Sequence, residues 1–181
     1  MNTVRFIAEG ISTRDTATFI FLVNPVRVTA NLPAGSKDGV TYLNDSTVRL
    51  NLFAPYKEFV YVIGDFNNWQ LDTSYLMQRT PDSSHYWMDI TGLTPGREYV
   101  YQYYVNATLK IADPYTEKVL DPSNDSGIGA ATYPNPTPYP TGRTTGIASV
   151  LQTARTPYVW QTQTYTRPAK SDLVIYELLV R

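Results

Sequence analysis

The stretch REYVYQYYV, residues 97–105, constrains the fold more than any other. Successive side chains of a strand point to opposite faces. Tyr99, Tyr101, Tyr103 and Val105 therefore share one face, and Glu98, Val100, Gln102 and Tyr104 share the other. Turn signals bracket the run. TGLTPG (91–96) precedes it, NAT (106–108) follows it, and LKIA (109–112) supplies a return strand.

The same alternation recurs along the chain. In TVRLNLFA, Val48, Leu50, Leu52 and Ala54 form one face of a half-buried strand that Pro55 stops. FVYVI (59–63) is continuously apolar and reads as a central strand. HYWMDI (85–90) places Tyr86, Met88 and Ile90 together. No stretch shows a capped helical period. The 15 tyrosines fit this pattern, since Tyr, Thr and Val favour strands. Short strands with turns at this spacing predict an all-β fold, a β-sandwich over residues 32–130.

The flanks differ. VRFIAEG and TATFIFLV (16–23) are two strand-like runs joined by ISTRD, expected to form the trailing hairpin of an earlier β domain within 1–31. YPNPTPYPTGRTTG (133–146) carries four prolines in alternate positions and reads as extended. Residues 131–171 are expected to be a linker. DLVIYELLVR (172–181) is a buried-type strand, which wants neighbours on both sides. It is expected to be the first strand of a further domain.

Several functions are excluded. With no cysteine there is no disulfide and no thiol catalysis. Charge is balanced, 15 basic against 16 acidic residues, with no concentrated basic face for nucleic acid. No apolar run reaches the ~18 residues of a membrane-spanning helix. His85 is the only histidine and no Gly-x-Ser-x-Gly motif precedes it, so it is expected at the surface, at the start of a strand. DPSNDSG (121–127) gathers Asp121, Asn124 and Asp125. Its spacing is not that of a calcium loop, and Asx-turns account for it. No cofactor, metal or catalytic residue is expected.

GDFNNW (64–69) runs out of the FVYVI strand and ends on Trp69. A flat ring beside amides suits a sugar, whose faces are apolar and whose rim is hydroxyls. Any turn also wants Gly, Asp and Asn, and the ring could pack on its own sheet.

Together with YW (86–87), TGLTPGREYVYQYYV and ADPY (112–115), this motif resembles the family 48 carbohydrate-binding modules. These are immunoglobulin-like (early-set) sandwiches, also called isoamylase N-terminal domains. They precede the barrel in glycogen branching, debranching and related α-amylase (glycoside hydrolase family 13) enzymes. A similar module occurs in the glycogen-binding β subunit of AMP-activated protein kinase. DLVIYELLVR resembles the opening strand of the (β/α)₈ barrel of the same enzymes, with Leu179 where His is common.

The resemblance implies a sugar surface built on the Trp of this turn, a Lys on the tyrosine-rich strand and a second Trp near the next hairpin. Trp69 stands at the first position, Gln102 at the Lys position and Leu109 at or near the second Trp. Asn67 and Asn68 add amides. The family's catalytic carboxylates lie on later barrel strands, so this chain is expected to be non-catalytic.

The expectation is thus the N-terminal part of an enzyme acting on starch- or glycogen-like α-glucans. It would pack on its own downstream barrel, bind α-glucan, and have no nucleic acid or membrane partner. The alternative is a protein-interaction sandwich with no glucan link. The polar β-rich composition suggests a secreted or cell-surface bacterial protein.

Overall fold

The structure is a computed structural model that describes residues 2–21, 26–162 and 164–178. The first two strands, β1 (Asn2–Glu9) and β2 (Arg14–Phe21), pair antiparallel as a separate two-stranded sheet. Val4, Phe6 and Ile7 of β1 are exposed.

The remaining strands build an immunoglobulin-like β-sandwich. One sheet holds β3 (Gly39–Asn44), β4 (Thr47–Phe53), β7 (His85–Ile90) and β6 (Gln78–Arg79), in that order. The other runs β10 (Lys118–Leu120), β11 (Ala148–Gln152), β8 (Glu98–Val105) and β5 (Val60–Gly64). The short β9 (Leu109–Ile111) pairs with the far end of β8, on Tyr103–Val105.

The alternation read from the sequence decides what each face covers. Tyr99, Tyr101, Tyr103 and Val105 point inward and meet Val48, Leu50 and Leu52 of β4 and Tyr86, Met88 and Ile90 of β7 in the main core. Each such side chain contributes roughly 1.5–3 kcal/mol by leaving water. The phenols of this core are paired. Asp113 is buried and accepts hydrogen bonds from the phenols of Tyr101 and Tyr103. The backbone N–H of Asp113 donates to Ser149 Oγ.

The opposite face of β8 is buried too. Val100, with Ile63, Trp69, Leu120, Ala148 and Val150, forms a second, smaller apolar cluster. Leu71, Tyr104 and Tyr139 pack against it. This sheet therefore has cover on both sides.

Two boundaries differ from the sequence reading. Residues 148–152, expected within a linker, form β11, a strand between β10 and β8. Val150 belongs to the outer cluster and Leu151 to the main core, so the segment is apolar on both faces. The prolines upstream disguise it. At the other end, residues before 32 already join the sandwich. Thr29 bridges to Arg79, and the indole N–H of Trp87 donates to the Ala30 carbonyl at 3.2 Å. Residues 173–178 form no strand, and Val174, Ile175, Tyr176 and Leu178 are exposed. Leu179 and Arg181 of the predicted barrel strand lie outside the described residues.

Candidate functional site: the tryptophan turn and its strap

The turn starts where β5 presses on β8. A Cβ on Gly64 would lie 2.5 Å from the Val100 carbonyl oxygen, so only glycine fits there. Asp65–Asn67 then make one 3-10 turn. Asn67 ties the turn to the strand it leaves. Its Oδ1 accepts from the Gly64 N–H and its Nδ2 donates to the Val62 carbonyl, both at 2.9 Å.

Two consecutive residues next take left-handed backbone, Asn68 at φ 53° and Trp69 at φ 61°. Asn tolerates that region, whereas a bulky side chain does so at a cost of roughly 1–3 kcal/mol. The double turn reverses the chain and lays the indole back on the sheet. Trp69 is only 7% exposed. Its Nε1–H donates to Asp65 Oδ1 at 3.0 Å, while Asp65 Oδ2 accepts from the Val100 N–H at 2.9 Å. Asp65 thus clamps the ring to β8.

Gln102 is fully buried on the same outer face. Its Nε2 donates to the carbonyls of Thr145 (3.0 Å) and Ile147 (2.7 Å), and its Oε1 accepts from the Thr144 hydroxyl. Every amide group of Gln102 is therefore spent on residues 144–147. This segment is a strap, drawn over the sheet and bonded there to Gln102. Tyr139 Oη donates to the Gly146 carbonyl at 2.7 Å and closes the strap on itself. Further back, Thr137 donates to Glu98, which also takes Lys118 Nζ at 2.8 Å. Burial opposes ionisation of Glu98. The hydrogen bonds from Lys118 and Thr137 and the Lys118 charge outweigh it, and the carboxyl titrates below its ordinary range.

The residues expected to form a sugar surface differ in what they present to solvent. Trp69 and Gln102 are not offered to solvent as a stacking platform and its polar companion. The reason is physical: Val100 and Tyr104 make the outer face of β8 apolar, and an apolar sheet face needs cover. Trp69 and the strap provide it. Asn67 is also committed, both ends of its amide being bonded within the turn. Leu109 is 51% exposed at the tip of β9.

What remains open is a cleft along the strap. One hollow of about 540 Å³ lies between Lys110 of β9, Tyr139 and Thr141–Thr145. A second, of about 300 Å³, is lined by Asn68, Gln70, the exposed edge of Trp69, and Arg143. They adjoin, sharing Gly142 and Arg143. Arg143 Nη1 donates to Asn68 Oδ1 and links strap to turn. Of the residues expected from the sequence, the cleft takes Asn68 and the rim of Trp69. It adds Gln70, Lys110, Tyr139 and Arg143. The signal for Tyr139 was present, an aromatic within the run of alternating prolines that Tyr133 opens. Nothing in the sequence ties Arg143 to Asn68.

The other candidates are structural. Among the described residues no group of His, Asp and Glu is arranged to hold a metal ion. Asp121 Oδ1 accepts the Ser123 N–H at 2.9 Å and Asp125 Oδ2 accepts the Asp121 N–H at 2.8 Å, which is turn bonding. His85 is partly buried, its Nδ1 at 2.6 Å from Ser84 Oγ and its Nε2 at 3.5 Å from Asp38.

Part of the chain is similar to known proteins. Residues 38–116 match the family model of carbohydrate-binding module 48, the isoamylase N-terminal domain. Over 74 residues, 39% of this chain, the sequence is 36% identical to a 1,4-alpha-glucan branching enzyme GlgB of Clostridium perfringens. A second such enzyme, GlgB 2 of another strain of that species, matches equally. The match spans 11% of these relatives' length. A crystal structure from Salmonella typhimurium, described as an alpha amylase, aligns with TM-score 0.35 and 22% identity over 44% of this chain and 12% of that one.

Proposed function

We propose that this chain, whose residues 38–116 form a family 48 carbohydrate-binding module, is the non-catalytic N-terminal part of an α-glucan-active enzyme of the α-amylase family. Its sandwich contacts α-glucan along the strap cleft. The branching-enzyme relatives supply the substrate class. The observation that carries the reading is the cleft itself. Tyr139 gives it an aromatic wall, Asn68 and Gln70 give amides, and Thr141 a hydroxyl. Apolar wall and polar rim together are what a glucose chain requires.

In this reading the exposed apolar segment 173–178 opens the downstream catalytic barrel, and the module packs on that barrel. The parent is a secreted or cell-surface bacterial enzyme. Catalysis belongs to carboxylates beyond Arg181, so the chain alone releases no reducing sugar from soluble starch.

Calorimetric titration with maltoheptaose tests the binding. Millimolar or tighter affinity (~−4 kcal/mol or better), lost in Tyr139→Ala, supports the reading. No detectable binding by a folded chain contradicts it and favours a protein-interaction sandwich.

A further inference from the structure

The cleft is positively charged. Its ionised lining residues are Lys110 and Arg143, both cationic, and no carboxylate borders either hollow. Neither cation makes an ion pair among the described residues, whereas Lys118, Arg49 and Arg155 each have a carboxylate partner. The chain as a whole carries a net charge of −1, so this positive cleft runs against the overall balance.

Both cations are positioned. The Arg143 N–H donates to the Pro140 carbonyl at 3.1 Å, and its side chain is held by Asn68. One guanidinium nitrogen is used there, which leaves other donors of the fork free. Lys110 sits in register opposite Tyr104, its Nζ 6.0 Å from that ring's centroid.

A neutral oligosaccharide seated here can hydrogen-bond the two cations through its hydroxyls but gives no charge in return. A ligand bearing a phosphate monoester would add that charge, because a dianion meets a guanidinium fork and an ammonium in short, charge-assisted hydrogen bonds. We propose that the strap cleft takes a phosphate-bearing α-glucan, its sugar rings against Tyr139 and its phosphate ester between Arg143 and Lys110. This rests on the glucan reading above and narrows its substrate class.

The test titrates the whole chain with maltoheptaose, with maltoheptaose carrying a 6-phosphate, and with inorganic phosphate. The phosphorylated sugar is expected to bind at least ~tenfold tighter than the neutral one at low salt, and to lose that advantage as salt rises. In a K110Q/R143Q double variant the ratio of the two affinities should fall to about one. Circular dichroism confirms that the variant is folded. Equal affinity for both sugars in the wild type, or a preference that survives in the double variant, overturns the proposal and leaves the glucan reading standing. Binding of neither sugar, with or without binding of inorganic phosphate, overturns both.

Discussion

The Tyr101 phenol donates a 2.8 Å hydrogen bond to Oδ2 of Asp113, and both residues are buried. Tyr103 donates to the same oxygen at 3.1 Å, and Asp113 Oδ1 accepts the Tyr115 N–H at 2.9 Å. One carboxylate therefore fixes the tyrosine strand to the segment that follows β9. Asp113→Ala leaves two buried phenols without an acceptor. Urea unfolding should show a loss of about 3 kcal/mol or more, against ~1 kcal/mol for Tyr103→Phe, which removes donor and demand together.

The same pair sets an alkaline limit. Burial, above all, holds the Tyr101 and Tyr103 phenols well above their ordinary range, with the nearby Asp113 charge adding to it. The folded state keeps protons that the unfolded state releases. Stability from these groups is full below the unfolded tyrosine value of ~10 and is lost as pH rises beyond it. Absorbance titration should show these phenols ionising only with cooperative unfolding. Smooth ionisation of every tyrosine near pH 10, with the fold intact, would contradict their burial.

On the acid side the sign reverses. Glu98 has a lowered pKa in the fold, so its contribution is present above the ordinary carboxylate range and lost as pH falls through the folded value. Because Glu98 accepts both Lys118 and Thr137, acid should loosen the root of the strap before the sandwich melts. The hydrogen-exchange protection of residues 137–147, relative to intrinsic rates, should fall in the wild type as pH drops below the ordinary carboxylate range. In Glu98→Gln it should already be lowered at neutral pH.

Gln102 should behave as the strap's anchor. Gln102→Leu keeps the volume and leaves the Thr145 and Ile147 carbonyls without their donor. Trypsin should then cut after Arg143 several-fold faster, since cleavage follows the population of the opened segment. Cleavage at the wild-type rate would mean that the strap is held elsewhere.

The strands were legible because their side chains alternate. The parity of 97–105 separates the core tyrosines from Val100, Gln102 and Tyr104, as the structure does. The direction of Trp69 was not legible. It depends on positive φ at Asn68 and Trp69, and side-chain type alone does not report the sign of a dihedral at a non-glycine position. Gln102 misled for a related reason. An amide between tyrosines suits a sugar hydroxyl and a backbone carbonyl equally. Only the path of the proline-rich strap, which returns to the sheet as β11, decides between them.

Trp69 should matter more for stability than for recognition. Trp69→Ala removes a ring that packs with Ile63, Val100 and Val150 and should cost about 3–5 kcal/mol. Trp69→Phe, which keeps an apolar ring but loses the bond to Asp65, should cost about 1–2 kcal/mol. Among the three tryptophans, the exposed Trp160 should carry most of the acrylamide quenching.

The central claim is that glucan is met along the strap and not on the face of Trp69. Nitrogen-15 resolved NMR of the folded chain, titrated with maltoheptaose, tests it most directly. The account predicts shifts concentrated at Asn68, Gln70, Lys110 and residues 139–145, with affinity in Trp69→Phe within about threefold of wild type. Shifts that leave the strap untouched, or binding abolished in a folded Trp69→Phe, would contradict it.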